Sequence, residues 1–465
     1  MNDHDHDHDR VLPTLEANGD RVPVRPRQAR GRFYRRRRAV AIALIAAFLL
    51  LPYVMIDGRP AILLDLGARE FAFFGSVFRP SDTVSLMMFG LSVAFAIVLV
   101  TALWGRVWCG WACPQTVWLE WVFRPIERFF EGSPAQQRAL DARGGRSWRR
   151  FAKLGVYMAL AFVLANTFLA YFVSASRVGS WVQHSPAEHP VGFAVVMITT
   201  GLVFFDFAYM REQTCTFACP YGRMQSVLLD RQSMIVAYDA GRGEPRARRR
   251  KLAVIGNAGD CVDCSACVQA CPAGIDIRKG LQMECVGCAQ CIDACDSVMD
   301  NLDQRRGLIR YTSRAELAGE RPRVLRARTI VYPLLLAASV IGFLITVGDR
   351  AAADVWLEKS PTPYETLDGG MVSTPVKLRL ENRSDAPRVY TITLDDPSGA
   401  HAQVAGLMPS YKLAGRQTEH IPFFVLSQPG TFSAGRRDAT IVVRDDHGWS
   451  TTLSVVLLGP SGGAR

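Results

Sequence analysis

Several things are scarce in this sequence, and each shortage excludes something. Histidine occurs eight times in 465 residues. No Ser/His/Asp arrangement, Walker loop or G-x-G-x-x-G run occurs, so the chain offers neither a hydrolytic triad nor a phosphate cradle. Cysteine is missing before residue 109 and after residue 295, although the chain holds twelve, which excludes a disulfide-stapled secreted domain. Charged residues make up 21% but almost vanish from five blocks of about twenty residues, the length that crosses hydrocarbon as a helix. That segregation excludes a uniform soluble globule and a disordered chain. A membrane protein with soluble parts remains, and the length fits about three domains.

The apolar blocks are Ala39 to Ile56, Val84 to Trp104, Leu154 to Ser174, Val191 to Met210 and Thr329 to Val347, read as five spans. The first follows four arginines but has no small-residue cleavage site, so it is no cleavable signal. Lys and Arg number ten in 1–38, nine in 106–153 and nineteen in 211–328, against three in 57–83 and one in 175–190. Positive residues stay on the cytoplasmic side, which predicts the N-terminus inside and the C-terminus outside. The net charge of +11 then reflects topology and anionic lipid, not nucleic acid. Basic runs such as Arg246 to Lys251 read as solvated, membrane-facing surface.

The expected organisation is a basic cytoplasmic tail over 1–38 and four spans within 39–210. A cytoplasmic segment follows over 211–328, with a ferredoxin-like insert at about 255–300, then a fifth span over 329–347 and an outer domain over 348–465. In the last part, apolar and polar residues alternate in Val376 to Asn382, Val389 to Asp395, Ala439 to Asp445 and Thr452 to Leu458, between turns such as Asp395 to Gly399 and Asp445 to Gly448. That pattern predicts a small antiparallel β-sandwich.

All twelve cysteines fall on the side assigned to the cytoplasm. Eight form two C-x2-C-x2-C-x3-C runs: Cys261, Cys264, Cys267 and Cys271, then Cys285, Cys288, Cys291 and Cys295. This spacing wraps thiolates around cubane iron–sulfur clusters, whereas zinc ribbons use two pairs. In two-cluster ferredoxins the fourth cysteine serves the other cluster. The expected sets are therefore Cys261, Cys264, Cys267 with Cys295, and Cys285, Cys288, Cys291 with Cys271. Only thirteen residues separate Cys271 from Cys285, and Asp296 stands where a ferredoxin has proline.

The other four cysteines form an internal repeat. Cys109-Gly-Trp-Ala-Cys113-Pro114 follows the second span and Cys215-Thr-Phe-Ala-Cys219-Pro220 follows the fourth. Proline suits the first turn of a helix, so the second cysteine of each pair is expected at a helix break. Four thiols at equal depth could converge on Cu(I), zinc or an iron–sulfur centre, cycle as dithiol and disulfide, or be inert packing.

His4, His6 and His8 alternate with aspartates at the N-terminus and read as a solvated tail with at most a loose hold on a divalent metal. His184 and His189 read as surface residues of an outer loop. Asp206, inside the fourth span, is expected to pair with a nearby arginine.

Phe33 to Arg38 (FYRRRR), Gly105 to Trp118 (GRVWCGWACPQTVW), Arg211 to Ser226 (REQTCTFACPYGRMQS), Tyr238 to Arg246, Gly274 to Arg278, Ile292 to Asp300 and Gly307 to Tyr311 together resemble the cytochrome c oxidase accessory proteins called CcoG, FixG or RdxA. The likeness runs from about residue 33 into the C-terminal domain, and in this family the departure at Asp296 is the rule. It implies a bacterial inner-membrane protein with an immunoglobulin-like outer domain and two [4Fe–4S] clusters on the eight cysteines. It also implies reduction of Cu(II) to Cu(I) in support of cbb3-type oxidase assembly. Cys109, Cys113, Cys215 and Cys219 become copper-facing or redox-active thiols. Copper-delivery and oxidase-assembly proteins become partners, with a cytoplasmic electron donor that the sequence does not name. Two other readings stay open: an electron relay of a quinol, nitrate or nitrous oxide chain, and an assembly scaffold without turnover.

Overall fold

The computed structural model describes the chain from Arg10 to Pro460 apart from residues 13, 17, 19–20, 57, 80–81, 145–146, 248–257, 322, 324, 349–351, 359–361, 368–369, 385 and 396–401. His4, His6, His8 and most of the basic run after Arg246 lie outside the described residues. The chain divides into two compact units, one ending at Leu344 and one starting at Ile345.

Long apolar sequences become long helices because a helix satisfies its own backbone polar groups where water is absent. Among the described residues, four helices are long and apolar enough to cross a membrane: Thr83–Trp104, Trp148–Val173, Pro190–Met210 and Ala327–Gly348. The first block departs from expectation. Its helix α1 (Arg32–Leu50) starts inside the basic run and closes just before Pro52, which sits in a 3-10 turn (Leu51–Tyr53). Residues 39–50 are the charge-free part, about 18 Å at 1.5 Å per residue, short of a ~30 Å hydrocarbon core.

The remaining long helices are α2 (Thr83–Trp104), α3 (Trp148–Val173), α4 (Pro190–Phe205) and α5 (Ala327–Gly348). α4 continues through a π-turn at Asp206–Met210. α3 packs along α4. α2 meets α5 where Gly342 faces the Met88 sulfur and Ser92 Oγ donates to Ser339 Oγ at 3.1 Å; small residues allow such close crossings. The uncovered faces carry residues such as Val93, Ile198, Leu202 and Leu334, which suits lipid.

The cysteine-rich part is held by an antiparallel strand pair, Ile235–Tyr238 with Ile309–Thr312, and by the helix Gln290–Asp300. Ile292, Met299, Leu308 and Ile309 form its core. α1 docks on this part rather than trailing as a tail. Asp293 caps it from outside, accepting the Phe33 and Tyr34 N–H groups at 3.1 and 2.7 Å, which meets two of the orphan donors of a helix start. Gly31 fits there because a Cβ would lie 2.4 Å from the Asp293 carboxylate.

The second unit is a β-sandwich. Its strands are β1 (Ala353–Glu358), β2 (Val372–Asn382), β3 (Arg388–Asp395), β4 (Gln403–Ala405), β5 (Tyr411–Leu413), β6 (Thr418–Ser427), β7 (Arg436–Asp445) and β8 (Ser450–Leu458). One sheet runs β1-β2-β6-β4, with the short strand Glu365–Thr366 also on β2, and the other runs β5-β3-β7-β8. Inward residues including Leu378, Leu380, Tyr390, Phe423 and Val443 make the core, as two-residue alternation requires. Asn382 is buried in it and fully bonded, donating to the Ala386, Leu413 and Ala414 carbonyls and accepting from Tyr390 Oη.

Candidate functional site

The repeat read from the sequence is also a repeat of the backbone. α2 ends at Gly105 with φ +57°, and α4 with its π-turn ends at Arg211 with φ +53°. Each lies four residues before the first cysteine of its motif. At Gly105 a Cβ would sit 2.2 Å from the Met234 carbonyl, so this turn requires glycine. Arg211 holds the same left-handed turn with a side chain, a conformation that costs about 1–3 kcal/mol. A short turn follows in both, α-helical at Val107–Trp111 and π-helical at Thr214–Ala218. Cys113 and Cys219 are then extended, and Pro114–Trp118 and Pro220–Leu228 form helices, with proline first as the sequence predicts.

Asp206 ties the two motifs together. Its carboxylate accepts from Gln115 Nε2 at 3.1 Å and from the Thr214 hydroxyl. Gln115 follows the first motif and Thr214 precedes Cys215. The expected arginine partner of Asp206 is absent among the described residues; two neutral donors take its place.

Cys109, Cys113, Cys215 and Cys219 all line one cavity of about 410 Å³. Its lining also includes Pro272, Ala273 and Val286, from the segments that carry Cys271 and Cys285. Glu120, Arg124 and Glu212 form a buried charged side. Arg124 pairs with Glu120, reaches Glu212 at 3.4 Å and donates to the Pro272 carbonyl at 3.2 Å. Arg211 grips Glu127 with two bonds of 3.0 and 2.8 Å. Burial alone would raise the Glu127 pKa, but Arg211, Lys153 and Arg124 overrule it and hold it at about 2. Burial also pushes the Cys215 thiol up to about 12, and the neighbouring cysteines of the cavity add to this.

Arg106 spans the gap between this cavity and the second cysteine run. It donates to the Met283 carbonyl, to that of Cys285 at 3.4 Å and to that of Gly222 at 3.1 Å. Gly110, between Cys109 and Cys113, has no room for a Cβ: one would stand 2.6 Å from the Val286 carbonyl and 2.7 Å from Cys288 Cα.

The other eight cysteines separate into two groups. Cys261, Cys264, Cys267 and Cys295 line one small cavity. Cys271, Cys285, Cys288 and Cys291 line another, which Cys267 also borders. Cys264 is exposed, and the other seven are buried or partly so. Burial pushes the thiols of Cys267, Cys271 and Cys295 up to about 12, so as thiolates they need a cation. A four-thiolate zinc with bonds of about 2.3 Å would crowd its sulfurs. Among the described residues the one trio of metal-ligating groups within 4.8 Å is Asp445, Asp446 and His447, with no cysteine. Wider spacing of soft donors fits a cubane, where each thiolate takes its own corner.

His184 and His189 take separate partners: His184 Nδ1 bonds back to the Ser180 carbonyl, and His189 stacks on Trp181. Sequence reasoning missed Gln115, Arg106, Arg124, Glu120 and Glu212. Arg106, Gln115 and Glu212 sit inside or beside the two C-x3-C-P motifs, which is the one signal the sequence carried for them.

The chain is similar to known proteins along most of its length. A family model described as a 4Fe-4S dicluster domain matches residues 210–314, and one described as a 4Fe-4S binding domain matches 86–132. A third, described as an IG-like fold at the C-terminal of FixG, matches 343–460. The chain is 34% identical over 404 residues to Protein RdxA of Cereibacter sphaeroides, covering 83% of this chain and 85% of that protein. It is 33% identical over 425 residues to nitrogen fixation protein FixG of Rhizobium meliloti, covering 82% and 80%. Protein RdxB of Cereibacter sphaeroides is 33% identical over 393 residues, covering 80% and 82%. Cysteine spacing, family models and relatives along most of the chain agree: this protein belongs to the FixG/RdxA family of membrane iron–sulfur electron-transfer proteins.

Proposed function

We propose that this chain is a cupric reductase of the bacterial inner membrane, with Cu(II) as substrate at Cys109, Cys113, Cys215 and Cys219, supplying Cu(I) for assembly of a cbb3-type oxidase. One observation carries the reading: the four repeat cysteines share a cavity that is also lined by Pro272 and Val286, the sequence neighbours of Cys271 and Cys285. Two [4Fe–4S] clusters, on Cys261, Cys264, Cys267, Cys295 and on Cys271, Cys285, Cys288, Cys291, would supply single electrons when bound. Cys264, the exposed cysteine, offers the outer set to a cytoplasmic donor. The glycine at position 110 lets the thiol motif lie directly on the Cys288 backbone. Soft thiolates favour Cu(I) over Cu(II), so the cavity itself biases the ion toward its reduced form. One electron converts each Cu(II) to Cu(I), and no bond of the chain is made or broken.

The distribution of Lys and Arg supports the N-terminus and all cysteines on the cytoplasmic side, with the sandwich outside. In this reading α1, lengthened by the turn after it, is a fifth span, and the sandwich is the face for copper-delivery and oxidase-assembly partners. Doubling Cys109→Ser with Cys215→Ser should leave about eight iron per chain and abolish Cu(I) formation by the reduced protein. Unchanged Cu(I) formation would sink the thiol assignment.

A second reading has its own support. The family model described as a 4Fe-4S binding domain covers 86–132 and so includes Cys109 and Cys113. On that reading the four thiols hold a third iron–sulfur centre. Iron analysis separates the two, because a third cubane raises the content to about twelve per chain.

A further inference from the structure

Of the four consecutive arginines, Arg35, Arg36 and Arg38 are exposed, as a membrane-facing basic run should be, whereas Arg37 is 0% exposed. α1 inserts it beside the turn Val107–Trp111, where its Nε donates to the Gly110 carbonyl at 2.9 Å. The Trp121 ring lies 6.0 Å from its Cζ. Its two terminal nitrogens have no hydrogen-bond partner among the described residues. A buried guanidinium loses its water without an opposite charge in return, so an arginine in this position implies an anion.

The surroundings indicate which anion. The nearby carboxylates are already engaged: Asp293 with the Phe33 and Tyr34 N–H groups, Asp296 with Gly307 and Arg32, and Glu120 with Arg124. Gly110, which takes the Nε bond, has its backbone against Cys288. Tyr311 completes the wall, accepting from Trp111 Nε1 at 3.1 Å and donating to the Gly287 carbonyl at 2.7 Å. Burial pushes the Tyr311 hydroxyl above its usual pKa, with Cys288 and Cys291 adding to the rise and Trp111 and Arg37 opposing it. The anion left is the thiolate set Cys271, Cys285, Cys288 and Cys291. The outer set has a different neighbour: Arg278, next to Cys267, is already neutralised by Asp263 and Asp276.

We propose that Arg37, alongside Arg106 at the Cys285 carbonyl, is a counter-charge of the inner cysteine set and raises its reduction potential above that of the outer set, directing electrons toward the four-thiol cavity. The inference rests on the cluster assignment of the preceding section. Gain of one electron adds one negative charge to the inner set with no bond made or broken. A fixed buried cation beside it favours the more negative state, because a low-dielectric surrounding screens the attraction poorly. Burial and hydrogen bonding are known levers on such potentials. Arg37 is on this account a positioning charge, with no contact to copper.

The test is a redox titration followed by EPR on the full chain, purified anaerobically, with iron and sulfide quantified for each variant. The inner signal is identified as the one lost in Cys288→Ser. Arg37→Gln should leave iron unchanged and lower the reduced-to-oxidised ratio of the inner signal about tenfold at the wild-type midpoint, a shift of about 59 mV for one electron. The outer signal should stay in place. Arg37→Lys should restore most of the shift, and Arg38→Gln, one residue away and exposed, should show none. An unmoved inner potential with iron retained overturns the proposal, as does an equal shift of both signals or an equal effect of Arg38→Gln. If Arg37→Gln loses the inner signal, Arg37→Lys decides: a retained signal near the wild-type potential supports the proposal, and loss there too overturns it. If Cys288→Ser removes no signal, the cluster assignment itself falls; an unmoved potential with a Cys288-dependent signal removes only the role of Arg37.

Discussion

Gly110 and Cys288 meet backbone to backbone: a Cβ on Gly110 would lie 2.7 Å from Cys288 Cα and 2.8 Å from its nitrogen. Through this contact the first C-x3-C turn rests on the loop of the second cysteine run, with no side chain between them.

Gly110→Ala therefore has nowhere to put its methyl group, because its neighbours on this side are backbone atoms of Val286 and Cys288. Overpacking of this kind costs about 1–3 kcal/mol. The variant should purify with less iron than wild type and with a lower thermal midpoint. Wild-type iron content together with wild-type melting would show that the two loops are free to separate.

Asp206 should govern the rigidity of the four-thiol cavity. Removing its carboxylate in Asp206→Ala frees the Thr214 hydroxyl and one bond of Gln115, which still donates to the Arg211 carbonyl at 2.8 Å. Loss of buried partners to a charged acceptor costs about 1–3 kcal/mol. Cys215 should then be alkylated faster by iodoacetamide in the metal-free protein, read by mass spectrometry, with Asp206→Asn intermediate. Equal labelling rates in all three proteins would exclude the clamp.

Arg211 combines a left-handed backbone with a buried ion pair to Glu127, and two substitutions separate the contributions. Arg211→Ala keeps the strain and strands Glu127, which is expected to cost about 3–5 kcal/mol. Arg211→Gly also strands Glu127 but relieves about 1–3 kcal/mol of strain, so it should melt above the alanine variant. The pair also has a pH signature. The folded Glu127 pKa is about 2, below the ~4.3 of an unfolded glutamate. Its contribution is therefore fully present above pH ~4.3 and is lost as pH falls through about 2. The thermal midpoint of the metal-free protein should fall more steeply over that window than that of Glu127→Gln. Parallel curves would refute the assignment.

The apolar blocks, the β-sandwich, the triplets of cysteines and the doubled C-x3-C-P motif were legible before folding, because each depends on local spacing. A helix needs an uninterrupted apolar run, a strand needs two-residue alternation, and three thiols two residues apart share one turn of chain. The ends of α1 were not legible in the sequence: the helix begins at Arg32, inside the basic run, and gives way to a 3-10 turn at Pro52.

Tertiary structure alone decided what long-range contacts control. Nothing local distinguishes Arg37 from Arg36 or Arg38; docking of α1 beside Gly110 buries one and leaves the others in solvent. Asp206 finds Gln115, 91 residues away, rather than an arginine, because the repeat folds its two halves face to face. The shared cavity of Cys109, Cys113, Cys215 and Cys219 belongs to the same class. Partners so far apart in sequence are brought together by packing, and packing leaves no periodic mark on the chain.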